Sequence, residues 1–460
     1  MLRLLIALAW LVALALDAPG HLSTDSVIQL LEGRTGIYAG SNPPLMSALL
    51  GAFDRIVPGT ALYVLFVSAL FYVPLMVLAG GAGRRSAMNW LSGALLLVLL
   101  STPLLLIYQG TVWKDVLFAN LSLSTFTCLV LAQRHGGRRR ARLTCLALAA
   151  LLAALAAATR QNGVLIGLAG AACVAITAPG PATLRARSTR MVAWAVCAAL
   201  AFVAARSAVE ASAAQPIGDG MAWGLKVLHR YDMAGMIANG APPLPASPAS
   251  SPESQRIVSA FRHGYDPSRV DTLVKNVEVM SYFQDMEQVP GLWWHTVEAN
   301  PRAWLAHRAA VFRWMVAPPD VRLCLPVWVG VDGPDATLSQ LGLKREVRPQ
   351  DAALYAYSTS WFGTPLFMNL TWALVALALA GVIRFRTSRA PGDVAIVAML
   401  VSGLLFAASF ALIGIACDVR YLFLLPVVCC GALAHLANAT PQDDPGGTAG
   451  PAPSGASVGQ

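Results

Sequence analysis

One acid and three cations at the ends of apolar stretches carry most of the chemistry that the sequence offers. Asp25 follows the first apolar run, Lys114 lies in QGTVWKDVLF, Arg160 in AATRQNGVLIG and Arg420 in GIACDVRYLFLLP. Such cations bind anions, including phosphate, and a carboxylate beside them can act as a general base. The group predicts a site where a nucleophile loses a proton while a phosphate leaving group departs from a lipid carrier. Interfacial Lys and Arg also extend to lipid headgroups with no further role, and that interpretation stays open for each cation.

Other polar side chains share these loops. Asp115 follows Lys114, and Asp418 and Tyr421 lie close to Arg420 in the chain. These three residues are candidates for substrate contacts. Amide side chains have a structural role in many proteins, but four of them are also candidates for contacts with substrate hydroxyls: Gln29, Asn42, Gln161 and Asn162.

The segment after the first apolar run predicts two short helices. In STDSVIQLLEG, Ser23 or Thr24 is a candidate helix cap, which places Asp25 in the first turn, where the helix dipole favours a carboxylate. Asp25 could also be only a helix-start acid. After a Pro-Pro turn, residues 45–56 are amphipathic, so we expect both helices to lie at the membrane surface as a platform beneath which a lipid tail enters.

The composition is that of an integral membrane protein. Of 460 residues, 56% are hydrophobic and 12% are charged, whereas soluble domains carry about 25% charged residues. The net charge of +9 comes largely from arginines in short loops, which indicates membrane topology rather than nucleic-acid binding. Six of eight cysteines fall in apolar segments and only Cys324 lies well inside a polar region, so no disulfide framework is expected.

Apolar runs long enough to cross a bilayer predict an all-α polytopic membrane protein with about ten transmembrane helices. We expect residues 1–208 to form the catalytic core with a first outer loop at 18–59, 209–361 a mainly helical polar segment, 362–438 the last spans, and 439–460 a disordered tail. The predicted spans are 2–18, 60–80, 89–109, 115–133, 143–159, 163–179, 191–208, 363–383, 393–416 and 421–438.

Arginine placement predicts the orientation. Four alternate loops are arginine-rich and should therefore face the cytoplasm, which places Asp25 and the polar segment 209–361 on the periplasmic face of a bacterial inner membrane. Residues 1–18 could instead be a cleaved signal peptide, although Pro19 argues against cleavage. The loops contain Arg84 and Arg85; Arg134, Arg138, Arg139, Arg140 and Arg142; Arg185, Arg187 and Arg190; and Arg384, Arg386 and Arg389.

These stretches resemble the GT-C class of membrane glycosyltransferases, in particular the family-39-like group that includes the dolichyl-phosphate-mannose–protein mannosyltransferases and bacterial enzymes that modify envelope polymers. The resemblance covers residues 1–208 and 363–438 and does not extend in detail to 209–361. The stretches that carry it are DSVIQLLEGRTGIYAGSNPPL, TVWKDVLFA, RQNGVL and DVRYLFLLP.

The resemblance implies an inverting transfer of a sugar from a polyprenyl-phosphate carrier to a glycan, lipid or protein acceptor. It implies Asp25 as the base and Arg420, followed by Lys114 and Arg160, as the groups that hold the carrier phosphate. Many members have an acidic pair in the first loop, whereas Ser26 follows Asp25 here. Use of a divalent metal usually needs further carboxylate ligands, which Asp115 or Asp418 could supply, so it remains open.

Two other functions fit parts of the pattern. A lipid or solute transporter usually carries mid-membrane charges and internal repeats, which this sequence lacks. An O-antigen ligase or polymerase is expected to depend on a large outer loop rich in arginine and histidine. The segment 209–361 does contain histidines, at His229, His263, His295 and His307.

Overall fold

The computed structural model describes residues 1–39, 42–80, 86–243, 251–286, 291–386 and 390–438. Within these ranges the regular structure is helical apart from isolated β-bridges. Each predicted span contains a helix, but the span 89–109 is divided between two helices, Ala87–Ser101 and Pro103–Tyr108. The predicted tail 439–460 and Arg84, Arg85 and Arg389 lie outside the described residues. The helices at the predicted spans are α1 (Leu2–Asp17), α4 (Ala61–Leu78), α5 (Ala87–Ser101), α7 (Lys114–Arg134), α8 (Arg139–Thr159), α9 (Val164–Thr177), α10 (Leu184–Ser212), α18 (Asn369–Phe385), α19 (Asp393–Ile413) and α20 (Leu424–Leu436).

Helix length and apolarity make this chain an all-α polytopic membrane protein, as predicted. In the described part, α4, α7, α8, α10, α19 and the stretch Val419–Leu436 that contains α20 are long and apolar enough to cross a membrane. At 1.5 Å per residue, a helix of 21 residues is about 31 Å long, close to the thickness of the hydrocarbon core. Three further apolar helices, α5, α9 and α18, are shorter.

The loops collect at two opposite ends of the bundle, because α7, α8 and α19 each run from one end to the other. At one end, which we call the arginine end, Arg134 donates to the carbonyl of Val77 at 3.2 Å. At the same end, Nε2 of His435 lies 2.8 Å from Oδ1 of Asp393. His435 is in the last turn of α20. The opposite end, which we call the site end, contains the start of α2 (Thr24–Thr35), the start of α7 and the loops after α8 and α19.

Helices α7 and α20 occupy the centre of the bundle and are almost entirely buried, whereas α10 is mostly exposed along its spanning part. The polar residues of α7 are satisfied within the protein. The amide of Asn120 donates to the carbonyl of Val67 at 2.9 Å and to the side chain of Gln109 at 2.8 Å. A central helix with such fixed neighbours holds its first residues, Lys114 and Asp115, in a defined place at the site end.

The first loop forms the two predicted short helices, α2 (Thr24–Thr35) and α3 (Leu45–Ile56), and Ser23 is the N-cap of α2. The two helices touch through their backbones at Gly33 and Gly51. A Cβ at Gly33 would lie 2.2 Å from the carbonyl oxygen of Ser47, and one at Gly51 would lie 2.0 Å from that of Gly33. Only glycine permits this approach. The carboxylate of Glu32 then accepts a hydrogen bond from the Ser47 hydroxyl at 2.6 Å.

The polar segment is mainly helical, and it contains a buried polar cluster of Asp232, His307 and Arg308. His307 lies 3.1 Å from Asp232, and Arg308 contacts the same carboxylate. The remaining helices of the described chain are α6 (Pro103–Tyr108), α11 (Gly220–Ala238), α12 (Pro252–Gly264), α13 (Val277–Met286), α14 (Leu292–Ala299), α15 (Pro301–Val316), α16 (Asp335–Leu341) and α17 (Pro349–Thr359).

A disulfide bond corrects the expectation that the cysteines form no bridge. Cys324 of the polar segment is bonded to Cys417, in the loop between α19 and α20. The prediction was wrong because it treated Cys324 as isolated, whereas Cys417 leaves the membrane at the end of an apolar run. The bond joins the polar segment to the loop that carries Asp418 and Arg420.

Candidate active site

Backbone pairing at the site end places Asp25 next to the start of α7. The N–H of His21 donates to the carbonyl of Gly110 at 2.9 Å, and the N–H of Val112 donates to the carbonyl of His21 at 3.0 Å. Farther along, the hydroxyl of Ser26 donates to the carbonyl of Val112 at 2.6 Å. These bonds align the first turn of α2 with the residues just before Lys114.

Asp25 and Arg420 form the ion pair at the centre of the site. Nη2 of Arg420 donates to Oδ2 of Asp25 at 2.8 Å. The Asp25 side chain is 46% exposed, whereas that of Arg420 is 11% exposed. The acid therefore borders open space while the guanidinium is held inside the protein, although 395 residues separate the two in sequence.

Arg420 faces two further carboxylates and an aromatic wall. Its Nε lies 3.3 Å from Oδ2 of Asp418 and 3.9 Å from Oδ2 of Asp115. The guanidinium carbon lies 4.9 Å from the ring centre of Trp113 and 5.5 Å from that of Tyr421. Stacking on two rings and pairing with several acids fix the orientation of this cation.

Arg160 and Lys114 complete the predicted set of cations. Arg160 pairs with Asp115, and its guanidinium carbon lies 5.4 Å from the ring centre of Tyr421. Lys114 donates to the side-chain oxygen of Asn42. Asp115 thus lies between Arg160 and Arg420, and the ring of Tyr421 contacts both arginines, so these residues form one connected cluster.

Burial and nearby charges together shift the pKa values of half-exposed Asp25 and buried Asp418 in opposite directions. Burial alone would raise the pKa of Asp25, but Arg420 and Lys114 outweigh it and hold this pKa below its usual range. At Asp418, burial raises the pKa above its usual range, and Arg420 and Arg269 offset only part of that rise. Asp25 is therefore ionised at neutral pH, which is the state that a proton acceptor needs.

The four amides predicted to contact a sugar have different surroundings. Gln29 is 1% exposed, and Asn162 donates to the hydroxyl of Ser409 at 3.0 Å. Asn42 holds Lys114, and Gln161 is exposed next to Arg160. Asn42 and Gln161 also line the cavity described below. Substrate contact by these amides stays a prediction.

Two residues of the site were not predicted. Trp113 lies beneath Arg420, and its indole N–H donates to the hydroxyl of Ser23 at 2.9 Å. Arg269 of the polar segment lies 3.4 Å from Asp418. The position of Trp113 directly before Lys114 is a signal that sequence reasoning could have used, whereas nothing around Arg269 in the sequence indicates its partner.

A cavity of about 1150 Å³ adjoins the cluster between α8, α9 and α10. At the site end it is lined by Asn42, Pro44 and Gln161, and along the bundle mainly by alanines and by Gly167. Small apolar side chains leave the helices separated there and make the wall suitable for a hydrocarbon chain.

The residues that the structure describes include no group of three histidine, cysteine, aspartate or glutamate side chains arranged to hold a metal ion. Asp25, Asp115 and Asp418 all face the guanidinium of Arg420. The donor set therefore does not fit a divalent cation in this arrangement.

No protein-family model and no curated protein matches the chain. Two solved structures are similar to it in chain path. One is ArnT from Cupriavidus metallidurans in the apo state, with 12% identity and a TM-score of 0.35 over 94% of this chain and 76% of that one. The other is the archaeal oligosaccharyltransferase AglB from Archaeoglobus fulgidus, in complex with an inhibitory peptide and a dolichol-phosphate, with 12% identity and a TM-score of 0.38. The second match covers 94% of this chain and 49% of AglB, so the chain spans about half of that protein. Similarity at this level does not assign the chain to a family.

Proposed function

We propose that this protein is a membrane glycosyltransferase that moves a sugar from a polyprenyl-phosphate carrier to an acceptor. The observation that carries the proposal is the 2.8 Å pair between half-exposed Asp25 and buried Arg420, set in a cluster of cations beside an apolar cavity. A base, a group for a phosphate and a groove for a hydrocarbon tail are the three parts that such a reaction needs.

The proposed reaction is a single displacement with inversion. Asp25 takes the proton from an acceptor hydroxyl or amine as its oxygen or nitrogen bonds to the anomeric carbon. The bond from that carbon to the phosphate oxygen breaks, and the electron pair stays on the departing polyprenyl phosphate. Lys114, Arg160 and Arg420 stabilise the negative charge that grows on this phosphate.

The cationic side chains of the cluster support phosphate binding. Lys114, Arg160, Arg420 and Arg269 are four such side chains beside the carboxylates of Asp25, Asp115 and Asp418. An anion entering the site meets these groups, and the aromatic rings around Arg420 and Arg160 reduce water access and so strengthen the interaction.

The proposal places the site on the extracytoplasmic face of a bacterial inner membrane. The arginine-rich loops collect at the opposite end of the bundle, which the positive-inside rule favours for the cytoplasm. The Cys324–Cys417 bond at the site end also favours this side, because disulfides persist mainly in oxidising compartments. Labelling of single cysteines placed at each end, in intact cells, tests this orientation.

Neither alternative gains support from the described residues. His307 is buried against Asp232, and the ring of His229 stacks on Trp293 with centroids 4.2 Å apart, so both histidines make structural contacts within the polar segment. His435 lies at a helix end rather than in mid-membrane. A ligase that depends on these histidines, or a transporter that depends on a mid-membrane proton site, therefore has no specific observation in its favour.

The direct test is to incubate the purified protein with a panel of polyprenyl-phosphate sugars and to measure released polyprenyl phosphate. We expect release from at least one donor and dependence on an added acceptor extract from bacterial envelopes. Uptake of labelled solute into vesicles without any sugar transfer would instead indicate a transporter.

Filling the cavity should impair the use of long-chain donors. Gly167 lines the cavity, and a Cβ there would meet nothing within 4 Å, so a Gly167→Phe side chain enters the groove without a clash. Because the ring occupies space that a long donor tail would need, at a cost of about 1.4 kcal/mol in donor binding, we expect the KM for a long-chain donor to rise about tenfold, with little change for a short-chain donor. The matched control is Gly381→Phe in α18, where a Cβ also meets open space. Equal KM values for both variants and the wild type would contradict this use of the cavity.

The pH profile should reflect the low pKa of Asp25. Because Arg420 and Lys114 hold this pKa below its usual range, the carboxylate accepts a proton from solvent only at lower pH than a free aspartate. We expect the acid limb of kcat/KM that belongs to Asp25 to lie at lower pH than the usual pKa of an aspartate. Initial rates across a pH series at constant ionic strength locate this acid limb. A limb near pH 6 that is present in the wild type and absent in Asp25→Asn would show that the pKa of Asp25 is raised instead.

A further inference from the structure

The loop between α19 and α20, which carries Arg420, is joined to the polar segment at several points. The N–H of Val270 donates to the carbonyl of Ile415 at 2.8 Å, and the N–H of Cys417 donates to the carbonyl of Ser268 at 2.8 Å. Residues 268–270 thus pair with residues 415–417 in a short antiparallel contact, with Arg269 opposite Ala416.

Two further contacts hold the loop between α19 and α20 against the polar segment. Arg308, a buried residue of α15, donates to the carbonyl of Gly414 at 2.7 Å. The disulfide bonds Cys417 to Cys324. The loop is therefore held at Gly414, Ile415 and Cys417, directly before the residues of the active-site cluster.

Arg269 connects these contacts to the active-site cluster. Its Nη2 donates to the carbonyl of Leu323 at 2.8 Å and lies 3.4 Å from Oδ1 of Asp418. The other oxygen of Asp418 faces Nε of Arg420 at 3.3 Å. One buried carboxylate thus bridges two arginines, one from the polar segment and one from the proposed phosphate site.

We infer that Arg269 is a positioning residue that holds Arg420 in place through Asp418, and that the polar segment thereby completes the active site. The inference rests on the proposed function for its catalytic consequence, but the structural link can be tested without activity. Without Arg269, Asp418 keeps only one cationic partner close by and is free to turn toward Arg420, which shifts the guanidinium relative to Asp25.

The first test is a double-mutant cycle of Arg269→Gln and Asp418→Asn, measured as kcat and as donor KM. If Arg269 acts through Asp418, Arg269→Gln lowers kcat about tenfold, and the double variant is no slower than Asp418→Asn alone. Arg269→Lys should recover part of the loss, because an ammonium can still face Asp418. The control is Arg345→Gln, which removes an exposed arginine of the same segment that pairs with Asp332 and Asp335.

The second test is hydrogen exchange of the intact purified protein, read on peptides that cover residues 414–423. We expect exchange on the order of tenfold faster in Arg269→Gln and in the double variant Cys324→Ser/Cys417→Ser, and unchanged exchange in Arg345→Gln. Additive effects in the cycle, or unchanged exchange in Arg269→Gln, would overturn the inference. If no donor is used at all, the proposed function fails, whereas the exchange result still decides whether Arg269 positions this loop.

Discussion

An Asp25→Asn variant should insert and fold normally and lose nearly all sugar transfer. The amide has almost the same shape as the carboxylate but cannot accept the proton of the acceptor, and general base catalysis is worth about 10²–10⁴ in rate. Folding should be little affected, because the side chain is 46% exposed and such a pair contributes about 0–1 kcal/mol. The measurement is kcat with the best donor of the panel, alongside the thermal midpoint of the purified protein.

The matched control for Asp25→Asn is Asp54→Asn. Asp54 also forms an ion pair with an arginine, Arg34, at 2.8 Å, and it lies on α3 outside the cluster. We expect this variant to keep its activity within about twofold of the wild type. An Asp25→Asn protein with full activity would falsify the assignment of the base, whatever the control shows.

Replacing Arg420 should have the largest combined effect on activity and stability. In Arg420→Met, the carboxylates of Asp115 and Asp418 lose the guanidinium between them, and removing one partner of a buried ion pair costs about 3–5 kcal/mol. We expect a lower thermal midpoint and no detectable transfer. The buried position of Asp418, with a side chain 9% exposed, is the main reason for the stability loss, because Asp115 keeps its pair with Arg160.

Arg420→Lys separates the catalytic effect from the structural one. An ammonium keeps the charge but cannot face Asp25 and Asp418 with separate nitrogens or stack as a planar group on Trp113. We expect a thermal midpoint closer to that of the wild type, with kcat reduced by about 10²-fold. The control is Arg345→Lys, an exposed arginine 56% accessible to solvent. Wild-type kcat in Arg420→Lys would contradict a role for this residue in stabilising the departing phosphate.

Local sequence patterns predicted the helices well. Long apolar runs give spans because a bilayer leaves backbone groups no partners other than those within a helix, and all ten predicted runs are helical. The two short helices of the first loop followed from a capping serine, Ser23, and from amphipathic spacing over residues 45–56. The boundaries were less accurate, since α10 continues to Ser212, beyond the predicted end at 208.

The partners of the site residues were harder to predict, because they depend on contacts between distant parts of the chain. Lys114, Arg160 and Arg420 stood out in the sequence because they are charged residues at the ends of apolar runs. The structure brings all three to the site end of the bundle. Nothing in the local sequence tells that Arg269 faces Asp418, 149 residues away, or that Cys324 meets Cys417. Such pairs are decided by how the polar segment folds over the bundle.

The backbone contact at Gly33 and Gly51 packs α2 directly against α3. Pro44 and Leu45 at the start of α3 line the cavity, and Asp25 lies in the first turn of α2. The cavity wall and the acid thus belong to one closely packed helix pair. Under the proposed function, this pair would connect the space for the donor tail to the carboxylate that acts as the base.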